Sequence, residues 1–306
     1  MNEQVVECVP NFSEGVDAAR VEAIVAAMCV DGVRLLDWSM DADHNRSVVT
    51  IAGAPLAVVE AAVRGVGKAT QVIDLTRQQG SHPRIGAADV IPFVPISGIK
   101  LEQCALLARQ AGLEIWRRFG VPVFFYEAAA ARPDRANLED LRQGQFEGLR
   151  EAVRKDPKRQ PDLGGPDLHP TAGACAVGAR KFLVSYNVFF DSGDVATARA
   201  IAREVRTAAS GLKSVKAIGM VAHGRAQLAL NVSDFQATPI SQVYKKVAQL
   251  AARHKVEIAG AQIMGLIPEA ALERESDWVR LLEGFDPQTK ILERRLEHPL
   301  AWPGVS

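Results

Sequence analysis

VKAIGMVAHGRAQLALNV, residues 215–232, reads as two alternating runs folded back on a glycine. Val215–Ala222 and 227–232 predict a hairpin around Gly224. In its second arm Leu228, Leu230 and Val232 alternate with Gln227, Ala229 and Asn231. A period of two sends the first set to one face of a sheet and the second to the other. Upstream, 195–208 carries helical periodicity behind Asp194, a capping residue type, and 181–189 is strand-like. Downstream, Thr238-Pro239 opens a helix whose apolar face is Ile240, Val243, Tyr244, Val247 and Leu250, and 256–266 supplies a closing strand. The order is βαββαβ, the split βαβ pattern.

The first half repeats that order without convincing identity to the second. It has a strand at 4–9, a helix at 18–29, strands at 33–38 and 47–53, a helix at 55–73 and a strand at 89–94. Between the halves, 100–156 adds a helix, a strand at 121–126 and a charged segment at 132–158, and the Pro/Gly-rich 160–173 follows. This predicts an α+β fold of two ferredoxin-like (βαββαβ) α/β sandwich subdomains, 1–178 and 179–306, facing a central cleft.

The chain has 306 residues, with 36 Lys+Arg against 36 Asp+Glu, which argues against a nucleic-acid partner. Its four cysteines are scattered and read as buried free thiols. The first residues carry no basic, apolar leader and no run is long enough to span a bilayer, so the protein reads as cytoplasmic with no membrane partner. The six histidines are dispersed without H-E-x-x-H, and no metal is expected.

Two segments stand out chemically. The connection 39–46 (SMDADHNR) is long and polar where the second-half hairpin turns in about three residues, so it is either a functional loop or a solvated tip. Residues 80–86 (GSHPRIG) set an imidazole beside a stiffening proline and an arginine. A third stretch, 162–180 (DLGGPDLHPTAGACAVGAR), either brings backbone close to a flat ligand or serves as a hinge linker. The GVGK at 65–68 lacks the first glycine of a phosphate loop, and Asp41-x-Asp43 lacks the rest of a manganese ureohydrolase motif.

ECVPNFSEG at 7–15, NRS at 45–47, GSHPRIGA at 80–87 and GARKFL at 178–183 together resemble glutamate formiminotransferase, the folate enzyme fused to a cyclodeaminase in animals. Further echoes, among them Leu141-Arg142-x-Gly144 and Gln262-x-x-Gly265-Leu266, keep their order nearly to the end of the chain. The resemblance implies a homodimer of two α/β subdomains that binds tetrahydrofolate between them as co-substrate and acts on small molecules in histidine catabolism. The family's catalytic histidine falls on His82. Its glycine-rich folate run places contacts on Gly164, Gly165, Pro166, Asp167, Leu168, His169, Pro170, Thr171, Ala172 and Gly173. That run is one residue shorter here and carries His169 where the animal form is apolar. The animal D-x-D pair keeps Asp37 but meets Ser39, which shifts any second carboxylate to Asp41 or Asp43.

On this reading Asp41, Asp43, Asn45, Arg46 and Arg84 contact substrate. The two arginines would clamp the glutamate carboxylates, and an aspartate would orient His82 or steady the amidinium. His82, titrating near neutrality, would take a proton from N5 of tetrahydrofolate and return it to the departing nitrogen. A bulky residue at Gly173 is expected to weaken folate binding more than it lowers stability. Two other readings stay open: an N-formylglutamate formyl donor on the same fold and histidine, and a non-catalytic folate- or RNA-binding module. Neutral charge and the lack of aromatic RNA-binding runs oppose the last.

Overall fold

Periodicity places the elements of the first unit close to where the sequence puts them. These are β1 (Val5–Cys8), β2 (Asn11–Phe12), α1 (Ala18–Ala27), β3 (Val33–Asp41), β4 (Arg46–Gly53), α2 (Pro55–Val72) and β5 (Ala88–Ser97). β1 and β2 are two parts of one strand broken at Val9-Pro10, since both pair antiparallel with β4 and β5. Asp17 caps α1 by accepting from Arg20 N at 3.2 Å, and Pro55 starts α2, where its missing N–H costs nothing. The computed structural model describes residues 3–207, 212–222, 224–273 and 276–304.

The chain continues through α3 (Leu101–Phe119), β6 (Val123–Glu127), α4 (Leu138–Leu141), α5 (Gln145–Lys155) and β7 (Cys175–Ala179). Here the structure departs from the sequence reading, which left the strand at 121–126 in an insertion. β7 pairs parallel with β5, and β6 pairs parallel with β7, so both extend the first sheet to seven strands. The side chains explain why. Val123, Phe125, Cys175 and Val177 enter the core under α2 and α3, while Phe124, Tyr126 and Ala176 pack on the opposite face against Leu141, Leu149 and Val153. Parallel strands covered on both faces read as unbroken apolar runs, as Val123-Phe124-Phe125-Tyr126 does.

The long polar connection is also shorter than expected. β3 runs on to Asp41, opposite Arg46, and only 42–45 turns, with Asn45 in the left-handed region at φ 47°. Beyond Pro299 the tail returns to this unit: Leu300 N donates to Leu35 O at 2.8 Å, and Leu300 and Trp302 pack on its core.

The second unit, Lys181–His298, holds β8 (Val184–Phe190), α6 (Val195–Arg206), β9 (Val215–Ala222), β10 (Arg225–Val232), α7 (Ile240–Arg253) and β11 (Ile258–Met264). Its four strands are antiparallel in the order β11-β8-β10-β9. Leu228, Leu230 and Val232 meet Ile201 and Val205 of α6 and Val243 and Val247 of α7, so the alternating face of the opening stretch is this unit's core face. Residue 208, the expected end of α6, and His223 lie outside the described residues. The architecture is α+β, with two sheets and helices packed on them.

Candidate active site

His82 follows α2 in a segment that cannot wander. Gly80 lies so close to His44 O and Asn45 that a Cβ there would collide with them, and Ser81 N and Oγ both bond Asp43 O, at 3.4 and 3.0 Å. Gly86 similarly abuts the Ala174 carbonyl, and its own oxygen accepts from Ser13 Oγ at 2.7 Å. Three sequence-distant motifs, 11–15, 42–47 and 80–87, thus meet at one place. Asn45 is their clasp: its Oδ1 accepts from Gly15 N at 2.8 Å and its Nδ2 donates to Gln79 O at 2.7 Å. One bond at each end of its amide lets Asn45 hold the motifs together while it still lines the pocket.

His82 lies in a pocket lined by Ser13, His44, Arg46, Gln78, Arg84 and Asp89. A neighbouring cavity of about 430 Å³, reached past Asn45 and Gln78, adds Glu14, Arg20 and Arg77. Arg46 Nη1 contacts His82 Nε2. A guanidinium only donates, so Nε2 is the accepting nitrogen. Pro83 has no N–H, and its carbonyl takes the ring's remaining hydrogen bond. Burial first, then the charges of Arg46 and Arg142, push His82 down to about 3. The imidazole is therefore a neutral base in the ligand-free protein, not the group titrating near neutrality that its reference value suggests.

The arginines separate into different jobs. Arg84 is 7% exposed and saturated. Nε donates to Gln78 Oε1 at 2.7 Å, Nη1 to Gln145 Oε1 and Glu147 Oε2, and Nη2 to Glu147 Oε1 and Gln78 O. All five donors are engaged, so Arg84 pins the loop to the start of α5 and has no fork left for a substrate carboxylate. Arg46 keeps one: its Nε is shielded from water and has no partner. Burial and the nearby Arg142 lower its own pKa to about 10.

The carboxylates of the turn do not reach His82. Asp41 accepts from His44 N at 3.0 Å and from His44 Nδ1 at 2.6 Å. Partial burial opposes ionisation of that carboxyl, but these bonds outweigh it and hold it below its usual value. His44 in turn stands edge-on to His82, with ring centroids 6.2 Å apart. Asp43 is exposed and acts through its backbone oxygen. The carboxylate that does face the pocket is Asp89, 3% exposed, which accepts from Ile85 N at 2.8 Å and pairs with Arg142 Nη2. Sequence reasoning missed both partners. The available signals were an aspartate at the start of a buried strand and the arginine in the Leu141-Arg142-x-Gly144 echo.

The glycine-rich run divides in two. His169 N and Gly173 N exchange bonds with each other's carbonyls, at 2.9 and 3.0 Å, and Ala172 N donates to His169 Nδ1 at 3.0 Å. Thr171 O takes Leu75 N and Ala172 O takes Ala87 N, so His169, Pro170, Thr171, Ala172 and Gly173 form a clasp on the His82 segment with few backbone groups to offer. Gly164 rests against Trp116, while Gly165, Pro166 and Asp167 are exposed and Leu168 is half-buried. The exposed backbone of the run lies in this first part. Among the described residues no group of three or more His, Cys, Asp or Glu gathers to hold a metal, and no helix is long and apolar enough to cross a membrane.

Fold and site define an α+β protein that holds an imidazole beside arginines in a polar pocket. A model of the formiminotransferase domain's N-terminal subdomain matches residues 5–180, and one of the formiminotransferase domain matches 185–284. Glutamate formimidoyltransferase of Streptococcus pyogenes serotype M1 is 41% identical over 96% of this chain and 99% of its own. The protein of that name from Thermoplasma acidophilum is 42% identical over 96% of this chain and 97% of its own. The formimidoyltransferase-cyclodeaminase of Gallus gallus is 38% identical over 88% of this chain, which spans 51% of it. The chain belongs to the formiminotransferase family and is a transferase.

Proposed function

We propose that this enzyme transfers the formimino group of N-formimino-L-glutamate to N5 of tetrahydrofolate, a step of histidine degradation, with His82 as general acid and base. The observation that carries the reading is the neutral imidazole whose accepting nitrogen lies under Arg46, in a family named for this transfer. N5 attacks the amidine carbon and a C–N bond forms. The N5 proton passes to His82 Nε2, and the imidazolium returns it to the glutamate nitrogen as the old C–N bond breaks. One group serving both transfers is worth about 10²–10⁴-fold. Holding two substrates together contributes several kcal/mol more. Exposed backbone at Gly165, Pro166 and Asp167 is the candidate folate contact, with no metal taking part.

A coupled assay for 5-formiminotetrahydrofolate tests this, with formylglutamate as a competing donor. Product should appear only with tetrahydrofolate and be indifferent to EDTA. His82→Ala should lower kcat by about 10²–10⁴ and leave folate affinity within a few-fold. Consumption of formiminoglutamate without folate, stopped by the chelator, would replace transfer with hydrolysis. Near-full kcat in His82→Ala would remove the histidine from its role.

A further inference from the structure

Two guanidinium groups of the His82 site lie near one buried carboxylate, but only one of them is hydrogen-bonded to it. Asp89 gives one oxygen to Ile85 N and the other to Arg142. Arg142 Nε is shielded from water without an acceptor, and so is Arg46 Nε. Arg84, the third arginine, takes Glu147 and both glutamines for itself. Asp41 is committed to His44. Arg46 feels the charges of Asp89 and Asp41 but is hydrogen-bonded to neither, and its Nη1 rests on the one lone pair that a neutral imidazole offers. In this arrangement His82 cannot accept a proton, because its accepting nitrogen is already covered.

We propose that Arg46 is a positioning residue that masks His82 Nε2 until a carboxylate of the bound amino-acid substrate takes its guanidinium and frees the base. The inference rests on the formiminoglutamate reading above, which supplies a dicarboxylate. A carboxylate accepts a bidentate guanidinium far better than an imidazole does, through two charge-assisted bonds in place of one neutral one. It also gives the buried, unpartnered Arg46 Nε an acceptor, so substrate binding and exposure of Nε2 are one event. Base strength then follows occupancy. The groups facing the ring are Arg46 from β4, Arg142 after α4, Asp89 from β5 and His44 from the turn. Of these only Arg46 touches Nε2, and neutralising it removes the largest charge that opposes protonation. The base is covered whenever no carboxylate holds Arg46, so water is not activated before the substrate has bound.

The test is the titration of His82 in the full chain, followed by ring ¹⁵N shifts assigned with a His82→Gln sample. L-glutamate, which has both carboxylates and no group to transfer, is the probe, and calorimetry on the same samples records its binding. Ligand-free protein should keep the ring neutral through pH 5, and saturating glutamate should raise its midpoint by about one pH unit or more. Arg46→Gln should raise the midpoint without ligand, abolish the further rise with glutamate, and increase KM for formiminoglutamate about tenfold or more. In wild type the His82 limb of kcat, which reports the bound complex, should stand above that of kcat/KM, which reports free enzyme, and the gap should close in Arg46→Gln. Glutamate that binds without moving the His82 midpoint overturns the inference while leaving the transferase reading intact. The glutamate arm does not use Arg46→Gln, so a failure of that variant to fold does not blunt it. If neither glutamate nor formiminoglutamate binds, the substrate reading falls and takes this inference with it.

Discussion

Glu7 and His82 lie in the same unit and are displaced in opposite directions. Burial raises Glu7, 1% exposed, to about 7 against the opposing charge of Arg180, while burial and two arginines hold His82 at about 3. For a carboxyl with a raised folded value, the folded state binds the extra proton, so its stabilisation is present below about 4.5 and is lost as pH rises to about 7. For an imidazole with a lowered value, the unfolded chain binds the extra proton, so stability is lost as pH falls from about 6.5 toward about 3. The two slopes oppose each other between pH 7 and 5. Glu7→Gln should therefore steepen the loss of stability on acidification, and His82→Gln should flatten it, each by up to about 1.4 kcal/mol per pH unit and less for the partly exposed histidine. Denaturant midpoints at pH 7, 6 and 5 measure this, and parallel profiles for all three proteins would contradict it. At this scale the sequence picked out His82 and Arg46, but not that one would lie on the other. It also named Arg84 as a clamp, because a side chain's donors look free until its neighbours are known.

Among the elements, the clearest revision concerns Gly173. At φ +70° its added Cβ would meet the Ile85 carbonyl, Leu75 Cδ1 at 2.9 Å and Phe146 Cδ2 at 3.1 Å. Backbone conformation and packing both forbid a side chain there. Gly173→Val should thus destabilise the first unit by about 2–4 kcal/mol, a reversal of the expectation that folate binding would suffer first. Thermal melting of the variant checks it, and an unchanged Tm would restore Gly173 to a ligand-binding role. The turn between β3 and β4 carries a similar lesson. Its polar residues suggest eight residues of loop, yet Ser39 and Asp41 belong to a strand whose outer end is exposed, where polar side chains cost nothing. β6 is legible as a strand from its apolar run, whereas its pairing is not, since that depends on register with β7 some fifty residues on.

For the molecule as a whole, the first unit is closed by residues from the far end of the chain. Ending the chain at His298 removes the Leu300–Leu35 hydrogen bond and the half-buried Leu300 and Trp302. It should lower the denaturant midpoint by an amount corresponding to about 1–3 kcal/mol, and an unaltered midpoint would show the tail to be passive. Nothing in its composition marks it as part of the first unit rather than the second. What the sequence by itself determined is the run of elements, the α+β class and the family motif around His82, because periodicity, capping and contiguous motifs are local properties of a chain. Only the tertiary structure decided that β6 and β7 widen the first sheet, that Asn45 and Arg84 hold the site together, and that Arg46 touches the imidazole with the Asp89–Arg142 pair nearby. Each donor and acceptor can be spent once, and which partner spends it is set by segments that meet only when the chain has folded.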